Sequence, residues 1–200
     1  MKNMSYHLIR ATAFIVLLAA AGLAQAHTGH GSSGVAEGLA HPLGADHLLA
    51  MLAVGLWSVT ALPADKAWRG PATFLLVLIA SATFGALGIR VPYLEQMVSL
   101  SVVLFGAMLI LSRMHLPEGL GLGLVAIAAS LHGLAHGAET PPAGFATYAL
   151  GFLATTASLH FGGVAVGLAI RKYLAAKANW AMLGLGSLFS ASGLYLFNQL

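Results

Sequence analysis

Long apolar segments alternate with short polar breaks along most of this 200-residue chain. The breaks carry Pro, Gly and charged residues, which are typical of turns between helices. Each apolar segment has about 20 residues or more, which is the length that an α-helix needs to cross the hydrocarbon of a bilayer. The pattern therefore predicts six transmembrane helices, near residues 41–61, 71–89, 94–112, 119–138, 144–170 and 180–198.

Residues 1–26 have the pattern of a secretory signal peptide. A basic start precedes an apolar run over residues 11–24, and Ala24-Gln25-Ala26 has the small residues of a cleavage site. The alternative is a permanent first transmembrane helix, but the run is shorter than the roughly 20 residues that such a helix requires. We predict cleavage after Ala26, which leaves residues 27–200 as one six-helix domain with its N-terminus outside the cytoplasm.

The distribution of Lys and Arg tests that orientation independently. Alternation from an external N-terminus places loops 62–70, 113–118 and 171–179 in the cytoplasm. These loops contain Lys66, Arg69, Arg113, Arg171, Lys172 and Lys177, whereas the outer loops contain only Arg90. Because cytoplasmic loops carry an excess of Lys and Arg, the charges predict a multi-pass protein of the bacterial inner membrane with a periplasmic N-terminus.

Composition agrees with an all-α polytopic membrane protein. Hydrophobic residues make up 58% of the chain and charged residues 8%, whereas a soluble domain is about one quarter charged. The absence of cysteine excludes disulfides, iron–sulfur clusters and thiolate zinc sites. The basic residues are scattered, so no nucleic-acid partner is expected. Nine histidines in so apolar a chain need an explanation.

Three ionisable residues of the fourth predicted span lie on one helical face. His132, His136 and Glu139 occupy positions i, i+4 and i+7, within about 60° of one another. Two imidazoles and a carboxylate are suitable ligands for a borderline divalent metal, although histidines can also be satisfied by hydrogen bonds between helices. Gly133 and Gly137 form a Gly-x-x-x-Gly pair, which predicts that a neighbouring helix packs closely here.

The first predicted span begins with a second group of polar residues, His41, Asp46 and His47, followed by Met51. His47 and Met51 share a face at i and i+4, and Asp46 is offset by about 100°. Asp46 is a metal ligand, an acceptor that orients an imidazole, or an acid at the start of a helix. Met51 is either a ligand or a packing residue, since Met commonly fills gaps in cores.

The predicted topology brings the two groups to one side of the membrane. The first span begins outside and the fourth ends outside, and Glu95 opens the third span at the same face. His160 lies deeper, roughly 24 Å along the fifth span from its outer end. The sequence therefore predicts an outer binding site and a further polar group toward the cytoplasm.

The other histidines are weaker candidates for metal ligands. His7 lies in the signal peptide, and His115 lies in a short cytoplasmic loop where solvation accounts for it. His27 and His30 begin the mature chain, either as metal ligands or as part of a polar tail.

At these residues the sequence resembles the HupE/UreJ family of hydrogenase and urease accessory membrane proteins. The matching pieces are His41-Pro42, Asp46-His47 with Leu48-Leu49-Ala50-Met51, Pro92 with Glu95, His132-Gly133 with Ala135-His136-Gly137 and Glu139-Thr140-Pro141, and Leu159-His160. The resemblance implies a nickel, or in some cases cobalt, permease. It also implies that Asp46, His47, His136 and Glu139 are central to metal handling, with His41 and Glu95 contributing.

The chain departs from the family pattern at one point, because one residue fewer separates His41-Pro42 from Asp46-His47. In a regular helix this loss rotates His41 by about 100° relative to Asp46. The departure therefore casts doubt on whether His41 reaches the same site as His47.

The function expected from the sequence is Ni²⁺ or Co²⁺ uptake from periplasm to cytoplasm by facilitated diffusion, with no catalytic residues and no prosthetic group. The chain has no phosphate-binding loop of the Gly-x-x-x-x-Gly-Lys-Ser/Thr type. The partners considered are the metal ion, the bilayer, cytoplasmic nickel-accepting proteins and a second copy of the chain. The alternatives are an intramembrane zinc-dependent hydrolase and a metal chaperone or sensor that does not translocate.

Overall fold

The structure is a computed structural model that describes residues 34–114, 116–140 and 145–200, without the side chain of Arg113. The predicted signal peptide, His27, His30 and His115 lie outside the described residues. Seven α-helices make up most of the described chain, and no β-strand occurs in these ranges. The helices are α1 (Val35–Ala40), α2 (Ala45–Ala61), α3 (Arg69–Ala86), α4 (Leu94–Ile110), α5 (Glu118–Glu139), α6 (Phe145–Leu174) and α7 (Ala178–Phe197).

The predicted all-α class is confirmed, and each predicted span coincides with one of the helices α2 to α7. By length and composition, three helical segments among the described residues can cross a membrane: Ala64–Ala86, Glu118–Glu139 and Phe145–Phe197. The bent pair Val35–Leu43 and Ala45–Ala61 adds a fourth, and α4 is apolar but shorter. Three or four membrane-crossing segments are therefore found, and the count of six remains a prediction.

The first predicted span differs from the continuous helix expected over residues 41–61. His41–Leu43 form a 3₁₀ turn, Gly44 has extended backbone (φ −53°, ψ 143°), and α2 begins only at Ala45. The chain bends by 74° between the segments on either side of Gly44. Pro42 explains the break in part, since its ring has no N–H to donate to a continuing helix. The short helix α1 is also new, because its residues precede the first span that the sequence pattern predicts.

Helix α2 occupies the centre of the bundle. It contacts α3, α4, α6 and α7 along its length, and α3 pairs with α5 while α4 pairs with α7. Most of its side chains are buried, including the fully enclosed Met51 and Trp57, whereas large apolar side chains such as Leu76 and Leu150 are about two-thirds exposed on the outside. An apolar exterior around a packed centre suits a protein surrounded by lipid.

Glycines allow the closest helix contacts. A Cβ atom at Gly133 would lie 2.4 Å from the carbonyl oxygen of Leu78, and one at Gly137 would lie 2.0 Å from that of Ala82. The close packing predicted from the Gly-x-x-x-Gly pair is confirmed, and the neighbouring helix is α3. The α3–α5 pair thus fixes the position of the helix that carries His132 and His136.

Basic side chains near the far end of α2 join three segments of the bundle. Lys66 and Arg69 both pair with Glu118 at the start of α5, with a Lys66 Nζ–Glu118 Oε2 distance of 3.4 Å. Arg171 Nη1 on α6 donates to the carbonyl oxygen of Val59 at 2.9 Å. These basic residues therefore gather at the end of the bundle opposite His41 and Glu139.

Candidate metal centre

Three buried histidines form a cluster near the first turn of α2. His47 comes from α2, and His132 and His136 come from successive turns of α5. One ring nitrogen from each lies within 4.8 Å of those of the other two. The ring centroids are 4.7 Å apart for His47 and His132 and 4.1 Å apart for His47 and His136. The sequence thus predicted correctly that these residues share one region of the bundle.

Each of the three rings keeps one buried nitrogen without a hydrogen-bond partner among the described residues. These atoms are His47 Nε2, His132 Nδ1 and His136 Nε2. Buried polar atoms are almost always hydrogen-bonded, so three unpaired nitrogens in one cluster require an explanation. A metal ion bound by all three would satisfy them together. We call His47, His132 and His136 the inner group.

Asp46 sets the orientation of His47. Asp46 Oδ1 accepts hydrogen bonds from the backbone N–H of His47 at 2.8 Å and from His47 Nδ1 at 2.7 Å. A carboxylate can only accept, so the proton of a neutral His47 ring lies on Nδ1 and its Nε2 is left with a free lone pair. Of the roles considered from the sequence, the geometry favours the acceptor that orients an imidazole.

A second group of potential ligands overlaps the first and is more exposed. It consists of His41, His136 and Glu139, again with one ligand atom from each within 4.8 Å of the others. His41 Nε2 lies 3.0 Å from His136 Nδ1 and 3.4 Å from Glu139 Oε2. The carboxylate of Glu139 is about half exposed, with 49% of the side-chain surface accessible. We call these three residues the outer group, and His136 belongs to both groups.

The shortened spacing cast doubt on His41 at the site of His47, and the two residues do fall in different groups. That doubt assumed a regular helix between His41 and Asp46, in which one missing residue would turn the imidazole away. The 3₁₀ turn and the extended Gly44 replace that helix. The bend directs the His41 ring toward α5, where its centroid lies 4.8 Å from that of His136.

The remaining sequence candidates lie outside both groups. Glu95 is exposed in the first turn of α4, and Met51 is fully buried in the apolar core. His160 is fully buried on α6 and its Nδ1 donates to the carbonyl oxygen of Thr156 at 2.8 Å. Its Nε2 is buried without a hydrogen-bond partner among the described residues, so His160 also presents one free ring nitrogen.

Phe74 on α3 contacts both His132 and His160. Its ring centroid lies 5.5 Å from that of His132 and 4.6 Å from that of His160, and its side chain is completely buried. The ring of Phe74 therefore contacts one histidine of the inner group and the deeper histidine. Nothing in the sequence distinguishes Phe74, because a single phenylalanine in an apolar span is most often a packing residue.

A cavity of about 670 Å³ opens at the basic end of the bundle. Its lining combines apolar and polar residues from α2, α4, α6 and α7 and includes Trp57, Leu109, Arg171, Asn179 and Met182. His160 precedes Arg171 by eleven residues on α6, which is about 16 Å along a helix. The cavity therefore begins beyond His160 from the side of the histidine cluster.

The chemistry of the inner group suits a borderline transition metal. Neutral imidazoles bind Zn²⁺, Cu²⁺, Fe²⁺ and Ni²⁺, whereas Mg²⁺ and Ca²⁺ prefer shells made entirely of oxygen. The outer group adds a carboxylate to the imidazoles. The two groups together provide a partly exposed site and a buried site that share one ligand.

Comparison with known proteins identifies the family of the chain. The family model described as HupE / UreJ protein matches residues 15–196. The chain belongs to the HupE/UreJ family. It is also 37% identical over 155 residues to Protein HupE of Rhizobium leguminosarum bv. viciae, a match that covers 76% of this chain and 80% of that protein. No solved structure gives a significant match.

Membership of the HupE/UreJ family bears on function at a coarse level. The family is associated with nickel or cobalt uptake for hydrogenase and urease. It is a family of transporters and accessory permeases and not of enzymes. Together with helices apolar enough to cross a bilayer, this supports the assignment of the chain as a membrane-associated accessory protein.

Proposed function

We propose that this protein is an inner-membrane permease that moves Ni²⁺, or Co²⁺, from the periplasm to the cytoplasm. The observation that carries the proposal is the inner group, whose three imidazoles each keep a buried nitrogen that has no hydrogen-bond partner in the described part of the chain. Metal–imidazole bonds are about 2.0–2.1 Å long, so donors on opposite sides of one ion are roughly 4 Å apart. Ligand atoms within 4.8 Å of one another need only small movements to bind the same ion.

The two groups and His160 suggest an order for the path. Glu139 and His41 are accessible and would take the ion first, and His136 would then pass it to the buried inner group. Phe74 contacts the rings of both His132 and His160, so in the proposed path this side chain would have to move aside as the ion passes from the inner group to His160. Beyond His160, the cavity at the basic end would lead toward the cytoplasm.

No ATP-dependent partner is required for inward movement. An inside-negative membrane potential favours the arrival of each elementary charge by about 2.3 kcal/mol per 100 mV, which is about 4.6 kcal/mol for a divalent cation. That energy corresponds to a concentration ratio of more than a thousand. Facilitated diffusion would therefore supply cytoplasmic nickel-accepting proteins even from dilute external metal.

The direction of transport depends on the orientation of the chain. The proposed periplasmic side is the one that carries the outer group, because Lys66, Arg69 and Arg171 gather at the other end and cytoplasmic segments are rich in such residues. A signal peptide cleaved after Ala26 would give the same orientation, and the N-terminus of the membrane-bound protein would then be His27.

Uptake of ⁶³Ni²⁺ into proteoliposomes with an imposed inside-negative potential tests the proposal. We expect wild-type protein to accumulate label, and Asp46→Asn and His136→Ala to reduce the initial rate at least ten-fold. Asp65→Asn is the matched control, because it makes the same chemical change in an exposed turn at the basic end, and it should leave uptake unchanged.

The same experiment separates the alternatives. Saturable binding without accumulation inside the vesicles would instead support a chaperone or sensor. Normal uptake by correctly inserted Asp46→Asn and His136→Ala proteins would exclude these residues from the path. Hydrolysis of a membrane peptide that depends on Zn²⁺, together with no nickel uptake, would favour the hydrolase.

A further inference from the structure

Ser101 on α4 makes a buried hydrogen bond to a ligand of the inner group. Its Oγ lies 2.8 Å from His132 Nε2 and 2.6 Å from the carbonyl oxygen of Val98. The serine is 3% exposed and the histidine is completely buried, so water does not compete for either contact. The contact joins α4 to the helix that carries His132.

The proton positions at this contact follow from donor and acceptor capacity. A carbonyl oxygen only accepts, so the single hydroxyl proton of Ser101 is donated to Val98. The Ser101 oxygen then has only lone pairs to offer, and His132 Nε2 must be the donor. A neutral imidazole carries one ring proton, so His132 Nδ1 has none.

The bare nitrogen belongs to a ring of the histidine cluster. His132 Nδ1 is buried and without a hydrogen-bond partner among the described residues, and its ring centroid lies 4.7 Å from that of His47. In the other tautomer Nδ1 would carry the ring proton and could not bind a cation. At the same time the lone pair of Nε2 would face the lone pairs of Ser101.

We infer that Ser101 is a positioning residue that fixes the tautomer and ring orientation of His132, so that Nδ1 is available as a metal ligand. Asp46 does the same for His47, but with the opposite ring nitrogen. The role for metal rests on the proposed function, whereas the tautomer is a property of the metal-free protein. The two claims can therefore be tested separately.

The tautomer is measured directly by ¹⁵N NMR of metal-free protein labelled at histidine, with the His132 signals identified by their loss in His132→Asn. We expect wild-type His132 to show a protonated Nε2 and an unprotonated Nδ1. We expect Ser101→Ala to shift His132 toward a mixture of tautomers, and Ser101→Thr, which retains a hydroxyl, to restore the wild-type pattern. Ser99→Ala is the matched control, since Ser99 lies on the same helix and is also 3% exposed.

The consequence for metal is measured by calorimetric titration of the same proteins with Ni²⁺. Loss of a hydrogen bond that orients a metal-ligating histidine typically lowers affinity 10- to 100-fold. We expect a loss of that size for Ser101→Ala, little change for Ser101→Thr, and no change for Ser99→Ala.

Two outcomes would overturn the inference. One is a wild-type His132 protonated at Nδ1, a result that needs no variant to fold. Another is a Ser101→Ala protein with the wild-type tautomer and wild-type nickel affinity. If the tautomer depends on Ser101 as expected but vesicles take up no nickel, the inference about His132 stands and the proposed transport function fails.

Discussion

Adding one methyl group at Gly137 is expected to disturb the metal centre through the contact between α3 and α5. A Cβ atom there would lie 2.0, 2.7 and 2.9 Å from the O, C and Cα atoms of Ala82, all of them backbone atoms that cannot rotate away. Real Cβ contacts are essentially never shorter than 3.0 Å, so in Gly137→Ala helices α3 and α5 must separate by about 1 Å. Distances in a metal site are held to about 0.2 Å, so this movement is large for the ligands on α5.

Stability and metal binding should both fall in Gly137→Ala. Extra atoms in a close-packed contact lower the free energy of unfolding by about 1–3 kcal/mol. For a chain of this size, each kcal/mol lowers the melting temperature by roughly 2–4 °C. Movement of His136 relative to His47 should lower nickel affinity at least ten-fold. Thermal unfolding of detergent-solubilised protein and calorimetric titration with Ni²⁺ measure the two effects.

Gly123→Ala provides a matched control on the same helix. A Cβ atom at Gly123 would meet no atom of residues 34–114, 116–140 or 145–200 within 4 Å. Replacing Gly by Ala within a helix favours the helix by up to about 1 kcal/mol. This variant should be at least as stable as wild type and should bind nickel normally. Equal melting temperatures and equal nickel affinities for Gly137→Ala and Gly123→Ala would refute the reasoning from close packing.

Two further variants test the path itself. Phe74→Leu should raise the initial rate of ⁶³Ni²⁺ uptake with little change in affinity, because a smaller side chain obstructs the way to His160 less. Phe105→Leu, at an equally buried position, controls for loosened packing. Equal uptake rates in the two variants would count against Phe74 as the barrier. His41→Ala should lower the uptake rate strongly but the equilibrium affinity for Ni²⁺ less than ten-fold, since the inner group remains complete. If His41→Ala lost as much Ni²⁺ affinity as His132→Ala, the two groups would act as one site.

The sequence predicted the helical pattern and the regional grouping of the histidines well, because both depend on regular spacing. Positions 132, 136 and 139 lie on one face of any α-helix, and alternation of spans brings Asp46 and His47 to the same end. What spacing could not predict is the division of these residues into two groups. Glu139 joins His41 and not His47, because a side chain one turn beyond His136 reaches the accessible end of the cluster.

Two features were not predicted because the backbone is irregular there. The short helix α1 and the turn at His41–Leu43 lie in sequence with few apolar repeats, so periodicity carried no information about them. The expected rotation of His41 away from the site was calculated for a helix that the chain does not form. The irregular backbone at Gly44 determines where that side chain lies, and it depends on packing against α6 as well as on local preference.

Ser101 was missed for a different reason. Serines within apolar helices commonly donate to a carbonyl oxygen three or four residues earlier, as Ser58 does to Val54 and Ser112 does to Leu109. Ser101 makes the same local bond to Val98, and only its contact with a second helix distinguishes it. That contact depends on how α4 packs against α5, which the spacing of residues along one helix does not reveal.

The shared position of His136 has a consequence for how many ions the protein can hold. Its Nδ1 lies 3.0 Å from His41 Nε2 in the outer group, and its Nε2 is buried without a hydrogen-bond partner among the described residues. A neutral imidazole has only one unprotonated nitrogen at a time. When His136 binds an ion in one group, its ring proton must therefore lie on its other nitrogen. That nitrogen cannot then bind a second ion in the other group. Inward transfer of the ion requires the His136 ring proton to move to the opposite nitrogen, so ions would cross one at a time. At saturation the two groups together would bind one ion per chain.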